Sequence, residues 1–133
     1  MADIRQALAD NISRNITSLT VYPSLRAAPA LPCAQITRGP IEYQVAFNDG
    51  LHRPDFIVTV YVPFQNDVLA QQNLDAYMEV DGADSIKAAI ESDCTLGGLV
   101  QDLDVVSATG EQPYTTAAGA QVLGTDWTVQ VWL

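Results

Sequence analysis

The chain has 133 residues, 48% of them hydrophobic, which is typical of one globular domain over residues 1–133 with a single core. It carries 16 acidic and 6 basic residues, and the formal net charge of −10 argues against a surface that grips DNA phosphates. No apolar run approaches the roughly 20 residues of a membrane helix, and the N-terminus does not have the pattern of a signal peptide. Cys33 and Cys94 have no CxxC spacing, so we expect free or buried thiols.

The first third of the chain predicts a helix, a strand and a loop. Apolar residues recur at helical spacing over 4–12, and Asp3 is the expected capping residue. Residues 16–23 are rich in β-branched side chains and predict a strand. Residues 25–39 contain prolines, alanines and a glycine, and predict a surface loop.

The middle of the chain predicts a hairpin and then a helix. Apolar and polar residues alternate over 41–47, which indicates a strand with one buried face. Residues 55–62 are apolar on both faces and predict a central strand covered on both sides. The connection contains the turn signal Asp49-Gly50, so the hairpin should have a projecting tip. A loose apolar stripe over 67–78 predicts the helix.

The last part returns to strands after two short helical segments. Asp84 or Ser85 is expected to cap the first of these segments. The predicted segments are helical at 86–90 and 95–99 and extended at 102–107 and 126–133, with a hairpin connection over 110–119. The whole order predicts an α+β domain, an antiparallel or mixed β-sheet with helices packed on one face.

Residues with catalytic potential are few. Asp49, His52 and Asp55 lie at three-residue intervals and could hold a metal ion, but one His in a loop offers too few ligands and too little rigidity. Asp102 and Asp104 alternate along a strand, which indicates a solvent face. There is no phosphate-binding glycine motif. The sequence therefore predicts no enzyme active site, no metal and no cofactor, and places the work of the protein on its surfaces.

Aromatic residues fall on both faces of the predicted sheet. Trp132 lies on the opposite face from Trp127, and Tyr61 on the opposite face from Phe56. Such a sheet needs cover on both sides, which a partner subunit could supply.

Two segments of the chain carry a family pattern. Residues 74–100 read LDAYMEVDGADSIKAAIESDCTLGGLV, and residues 122–129 read VLGTDWTV. The first resembles the "LDAYL…S(I/V)KAALE-D-TLGG" stretch, and the second the "YLG-(D/E)-(W/F)-T-V-V" pattern, of tail terminator proteins of long-tailed bacteriophages, particularly the actinobacterial-phage type. The resemblance covers the C-terminal half in sequence and the N-terminal half only in the order of elements. Residues 25–39 have no counterpart.

The resemblance implies a structural virion protein in the neck of the virus, at the top of its tail. Such a protein forms a ring, typically a homohexamer, that caps the head-proximal end of the tail tube. Its partners would be further copies of itself, the major tail tube protein and the head-to-tail connector or stopper protein. DNA would pass through the lumen without specific binding, and an acidic ring suits that passage because it repels phosphate.

The candidate subunit interface combines the hairpin tip with the last strand. Its residues are Asp49, Gly50, Leu51, His52, Arg53 and Trp132. Two other interpretations stay open. The protein could be a connector or stopper ring of the phage neck, which shares size and general fold, or a small metal-dependent enzyme that uses Asp49, His52 and Asp55.

Overall fold

The computed structural model describes residues 2–17, 19–23, 32–42, 53–63, 67–79, 82, 84–110, 112–115 and 121–132. In chain order the elements are α1 (Ala2–Asn15), β1 (Thr20–Tyr22), β2 (Cys33–Glu42), β3 (Arg53–Pro63), α2 (Asp67–Met78), α3 (Ile86–Glu91), the 3₁₀ helix η1 (Leu96–Gly98), β4 (Asp102–Ala108), β5 (Gln112–Thr115) and β6 (Gln121–Trp132).

The six strands form one mixed sheet. Its order is β1-β2-β3-β6-β4, and β5 also pairs with β6. β1 runs parallel to β2, whereas every other pair is antiparallel. The predicted α+β class is confirmed. So is the central position of the strand predicted at 55–62, because β3 lies between β2 and β6.

The core lies between one face of the sheet and the helices. Alternate residues of the strands point to this face, and the apolar stripe of α1 packs against them through Leu8 and Ile12, both fully buried. Each large side chain buried in this way stabilises the fold by about 1.5–3 kcal/mol. The strand residues of the core are Ala34, Ile36, Phe56, Val58, Val60, Val62, Leu103, Leu123, Trp127, Val129 and Val131.

A buried polar link joins α1 to the end of α3. Asn11 is 1% exposed, and its Nδ2 donates to the carbonyl oxygen of Ile90 at 2.9 Å. Its Oδ1 accepts from Ser92 Oγ at 2.9 Å and from Arg14 Nη2 at 3.1 Å. Because the last carbonyls of a helix have no partner within it, Asn11 satisfies one of those of α3.

The prediction of a loop over 25–39 is wrong for residues 33–39, which belong to β2. Residues 24–31 lie outside the described part. Ala34 and Gly39 have low strand propensity and weaken the signal of this stretch, but pairing with β3 makes it a strand. The register shifts between Arg38 and Ile41, where Gly39 and Pro40 sit. Of the strand predicted at 41–47, residues 41–42 end β2, and the rest lies outside the described residues.

Three boundaries also differ from prediction. Residues 16–23 contain a strand only at Thr20–Tyr22, because α1 extends to Asn15 and Ile16 N donates to Ile12 O as the chain leaves the helix. α1 begins at Ala2, so Asp3 does not precede it as a cap. The connection predicted at 110–119 contains β5, and β6 begins five residues before the predicted start at 126, because the two strands pair along Gln121–Gly124.

Candidate interaction surface

The sheet face away from the helices is only partly covered, and we call it the outer face. On β3 and β6 its partly buried residues include Asp55, Ile57, Tyr61, Asp126, Thr128, Gln130 and Trp132. Period-2 alternation puts them there, because Phe56, Trp127 and Val129 fill the core side of the same strands. The predicted placement of Trp127 and Trp132 on opposite faces is confirmed.

Burial differs along the outer face. Cys33 and Val122 are fully buried, and burial raises the pKa of the Cys33 thiol to about 11. Thr59 is 8% exposed and its Oγ1 donates to Asp126 Oδ1 at 2.5 Å. The half-buried Trp132 lies at the other end of the face, beside Asp102 of β4, and adds aromatic surface there.

Acidic residues line the strand next to Trp132. Asp102 pairs directly with Trp132 across β4 and β6, and Asp104 pairs with Gln130. Both aspartates are exposed, as expected for a solvent face. On the helix side of β4, one carboxylate oxygen of Glu91 accepts from Lys87 Nζ. We call Glu91, Asp102, Asp104 and Val106 the β4 edge.

Carboxylates cap two amides of β4. Leu103 N donates to Asp102 Oδ1 at 2.9 Å, and Val105 N donates to Glu91 Oε2 at 3.2 Å. Since β4 is a terminal strand of the sheet order, these amides would otherwise be available to a further strand. The capping therefore opposes the addition of another strand along this part of the β4 edge.

The β4 edge has a strongly negative environment. Burial raises the pKa of the nearby Cys94 thiol, and negative charge raises it further. The carboxylates responsible are Asp102, Glu91, Asp104 and Asp93. A thiol in this setting stays protonated and is a poor nucleophile.

Two grooves lie beside these elements. One of about 180 Å³ lies along β4 and is lined mainly by apolar side chains, among them Val105, Val106 and Trp127. Val106 is 53% exposed, and it falls where the pairing of β4 with β6 shifts register. The other, of about 410 Å³, lies between α1 and η1 and is lined by Ala7, Asp10, Arg14, Asp93, Leu96 and Gly97.

The predicted interface residues are only partly placed. Asp49, Gly50, Leu51 and His52 lie outside the described residues, as does the side chain of Arg53 at the start of β3. Only Trp132 is placed with its side chain. The hairpin tip therefore stays a prediction.

The metal hypothesis also stays a prediction. Asp55 lies half-buried on the outer face, whereas Asp49 and His52 are outside the described part. Among the residues that the structure describes, no group of three or more His, Cys, Asp or Glu could hold a metal ion.

Sequence reasoning missed the contribution of Glu91 to the β4 edge. The i,i+4 spacing from Lys87 was visible in the sequence, but the contact with β4 depends on how α3 lies over the sheet. Ser85, one of the two expected caps, is confirmed, because its Oγ accepts from Ala88 N at 3.2 Å.

No known family model matches this chain, and neither does any curated protein. Within the described residues, no helix is both long and apolar enough to cross a membrane.

Proposed function

We propose that the protein is a structural ring subunit of a phage neck, a tail terminator that caps the head-proximal end of the tail tube and joins it to the head connector. The proposal starts from the resemblance of residues 74–100 and 122–129 to that family. The ring would be a homohexamer in the virion, in contact with the major tail tube protein and the connector or stopper protein.

The observation that carries the proposal is the half-buried apolar part of the outer face. Ile57, Tyr61 and Trp132 are partly exposed at separate positions along the outer face, with Tyr61 beside Cys33 and Trp132 at the other end, while the opposite face of the sheet is filled by the core. Aromatic residues of this kind are enriched at the centres of protein interfaces. A neighbouring subunit in a ring would cover them.

The charge of the chain fits the same role. A ring of subunits that each carry a net charge of −10 would repel phosphate, so that DNA could pass without being held. This argument supports passage and not recognition, in keeping with a structural protein.

The test is the assembly state of the purified protein, alone and with tail tubes. Light scattering and negative-stain images should show rings, and these should bind tube ends and stop tube growth. Trp132→Ala should weaken ring formation by about 2 kcal/mol or more per contact, as truncation of an interface aromatic does. Its melting temperature should change little.

A matched control removes exposed apolar surface elsewhere. Val68 is 64% exposed on α2, so Val68→Ala should leave both assembly and folding unchanged. A protein that stays monomeric at all concentrations, and never associates with tube ends, would exclude the proposed role.

A further inference from the structure

We propose that Glu91, positioned by Lys87, keeps β4 closed to strand pairing with a second copy of the chain. We call Glu91 and Lys87 the edge cap. The inference goes beyond the proposed ring role and does not depend on it. It concerns how copies that lie close together are kept from joining sheet edge to sheet edge.

Two amides of β4 point away from the sheet. Leu103 N and Val105 N donate to carboxylates and not to β6, which is the one described neighbour of β4. In an antiparallel strand, a residue that turns its amide outward also turns its carbonyl outward. Leu103 and Val105 therefore present the donors and acceptors that a further strand would use.

The two outward amides are capped in different ways. Asp102 caps only its own neighbour in the chain, with Oδ1 2.9 Å from Leu103 N. Glu91 belongs to another element, because it is the last residue of α3, and its Oε2 lies 3.2 Å from Val105 N. The cap on Val105 therefore depends on the packing of α3 beside β4.

Lys87 is the positioning residue of the edge cap. Its Nζ donates to Glu91 Oε1 from one helical turn away, while Glu91 Oε2 accepts from Val105 N. Both oxygens of the carboxylate are thus engaged. A carboxylate fixed in this way keeps its place over the strand edge, because each charge-assisted hydrogen bond restrains the other.

The strand that fits this edge is β4 of a second copy. With two copies antiparallel about a two-fold axis at Asp104, Leu103 of each copy lies opposite Val105 of the other, and the outward amides and carbonyls of both residues find partners. The register shift after Val105 limits the pairing to this stretch.

Two barriers oppose this pairing in the unmodified protein. The first is the edge cap, because Glu91 occupies the amide of Val105. The second is Asp104, which is exposed and would lie directly opposite its own copy across the two-fold axis. Like charges in that position destabilise a strand pair.

Hydrogen exchange of single amides tests the edge cap. Glu91→Ala should speed the exchange of the Val105 amide by about tenfold or more, because a hydrogen bond to a charged group is lost. The Leu103 amide keeps its cap from Asp102, so it is the internal reference and should change little. Lys87→Ala, at a partly exposed position, should speed Val105 exchange less than Glu91→Ala does.

Two results of the exchange experiment would overturn the edge cap. One is an unchanged exchange rate of the Val105 amide in Glu91→Ala. The other is an equal acceleration at Leu103, which would show a general loosening of β4.

Sedimentation velocity over a concentration series tests the pairing. Glu91→Ala/Asp104→Asn removes both barriers and should form species larger than any that the unmodified protein forms. Glu91→Ala alone should reach this state only when added salt screens the charge of Asp104. Asp75→Ala/Asp104→Asn, with Asp75 on an exposed position of α2, removes the same number of charges but keeps the edge cap, so it should sediment like the unmodified protein.

A third substitution connects the association to one amide. Val105→Pro removes the outward amide and no bond to β6, so adding it to Glu91→Ala/Asp104→Asn should abolish the larger species. The pairing is overturned if the double variant sediments like the unmodified protein, or if its larger species persist with Val105→Pro. The ring role is tested separately, by whether the unmodified protein binds tail-tube ends, so either idea can fail while the other stands.

Discussion

Replacing Asn11 tests the polar link between α1 and α3. Asn11→Ala removes the donor to Ile90 O and the acceptor of Ser92 Oγ, each at 2.9 Å, at a site that is 1% exposed. A hydrogen bond contributes about 1 kcal/mol net, and a buried carbonyl left without its partner costs about 1–3 kcal/mol. The free energy of unfolding should therefore fall by about 2–4 kcal/mol.

Urea denaturation followed by tryptophan fluorescence measures this loss. The melting temperature should fall by roughly 3–5 °C per kcal/mol for a domain of this length. Asn11→Leu keeps the side-chain size and removes both hydrogen-bonding atoms without adding a charge, so a similar loss would assign the effect to hydrogen bonding and not to volume.

Asn15→Ala is the matched control for Asn11→Ala. Asn15 also bonds across this junction, with Nδ2 2.8 Å from Asn11 O and 3.1 Å from Ser92 Oγ, but it is exposed. Water replaces its bonds, so the loss should stay below about 1 kcal/mol. Equal losses for the two variants would refute the reasoning that burial makes the Asn11 link strong.

Two further predictions concern a turn and a thiol. Gly97 has φ +69, and a Cβ there would meet nothing within 4 Å. Gly97→Ala should therefore lower the free energy of unfolding only through backbone strain, by about 1–2 kcal/mol. Thermal unfolding measures this loss, and an unchanged stability would contradict the left-handed turn. Burial raises the pKa of Cys33 to about 11, so in alkali the unfolded chain releases this proton before the folded one does. From about pH 9 to about 11 the free energy of unfolding should therefore fall relative to that of Cys33→Ala. Urea titrations under reductant measure both proteins, and a stability difference that does not change with pH would refute this.

Alternation in the sequence was sufficient for β3 and for the second half of β6. Trp127 and Val129 alternate with Thr128 and Gln130, and the period alone places Trp132 on the outer face. The same alternation failed to reveal the full β2. Its residues Cys33 to Ile36 are buried on both faces, and they are too small and too mixed in polarity to give a clear period.

β5 and the β4 edge could not be predicted from local sequence. β5 has only four residues, one of which is a proline, and its pairing with β6 is what makes it a strand. The capping of Val105 N by Glu91 joins residues that are 14 apart in sequence, through the packing of α3 on β4. Contacts of this kind depend on tertiary geometry, which a pattern of residue types does not contain.

The position of β6 has a consequence for the order of folding. β6 comes after all its partners in the chain, yet it lies inside the sheet between β3 and β4. Among the described strands β4 and β5 pair only with β6, so before β6 has been synthesised they have no partner there, and the β2–β3 pair exposes one long edge. Assembly of the sheet must then wait for distant contacts, which slows folding. We expect amide hydrogens of β6 and β3 to be the slowest to exchange, and the nascent chain to be most prone to aggregation just before β6 emerges.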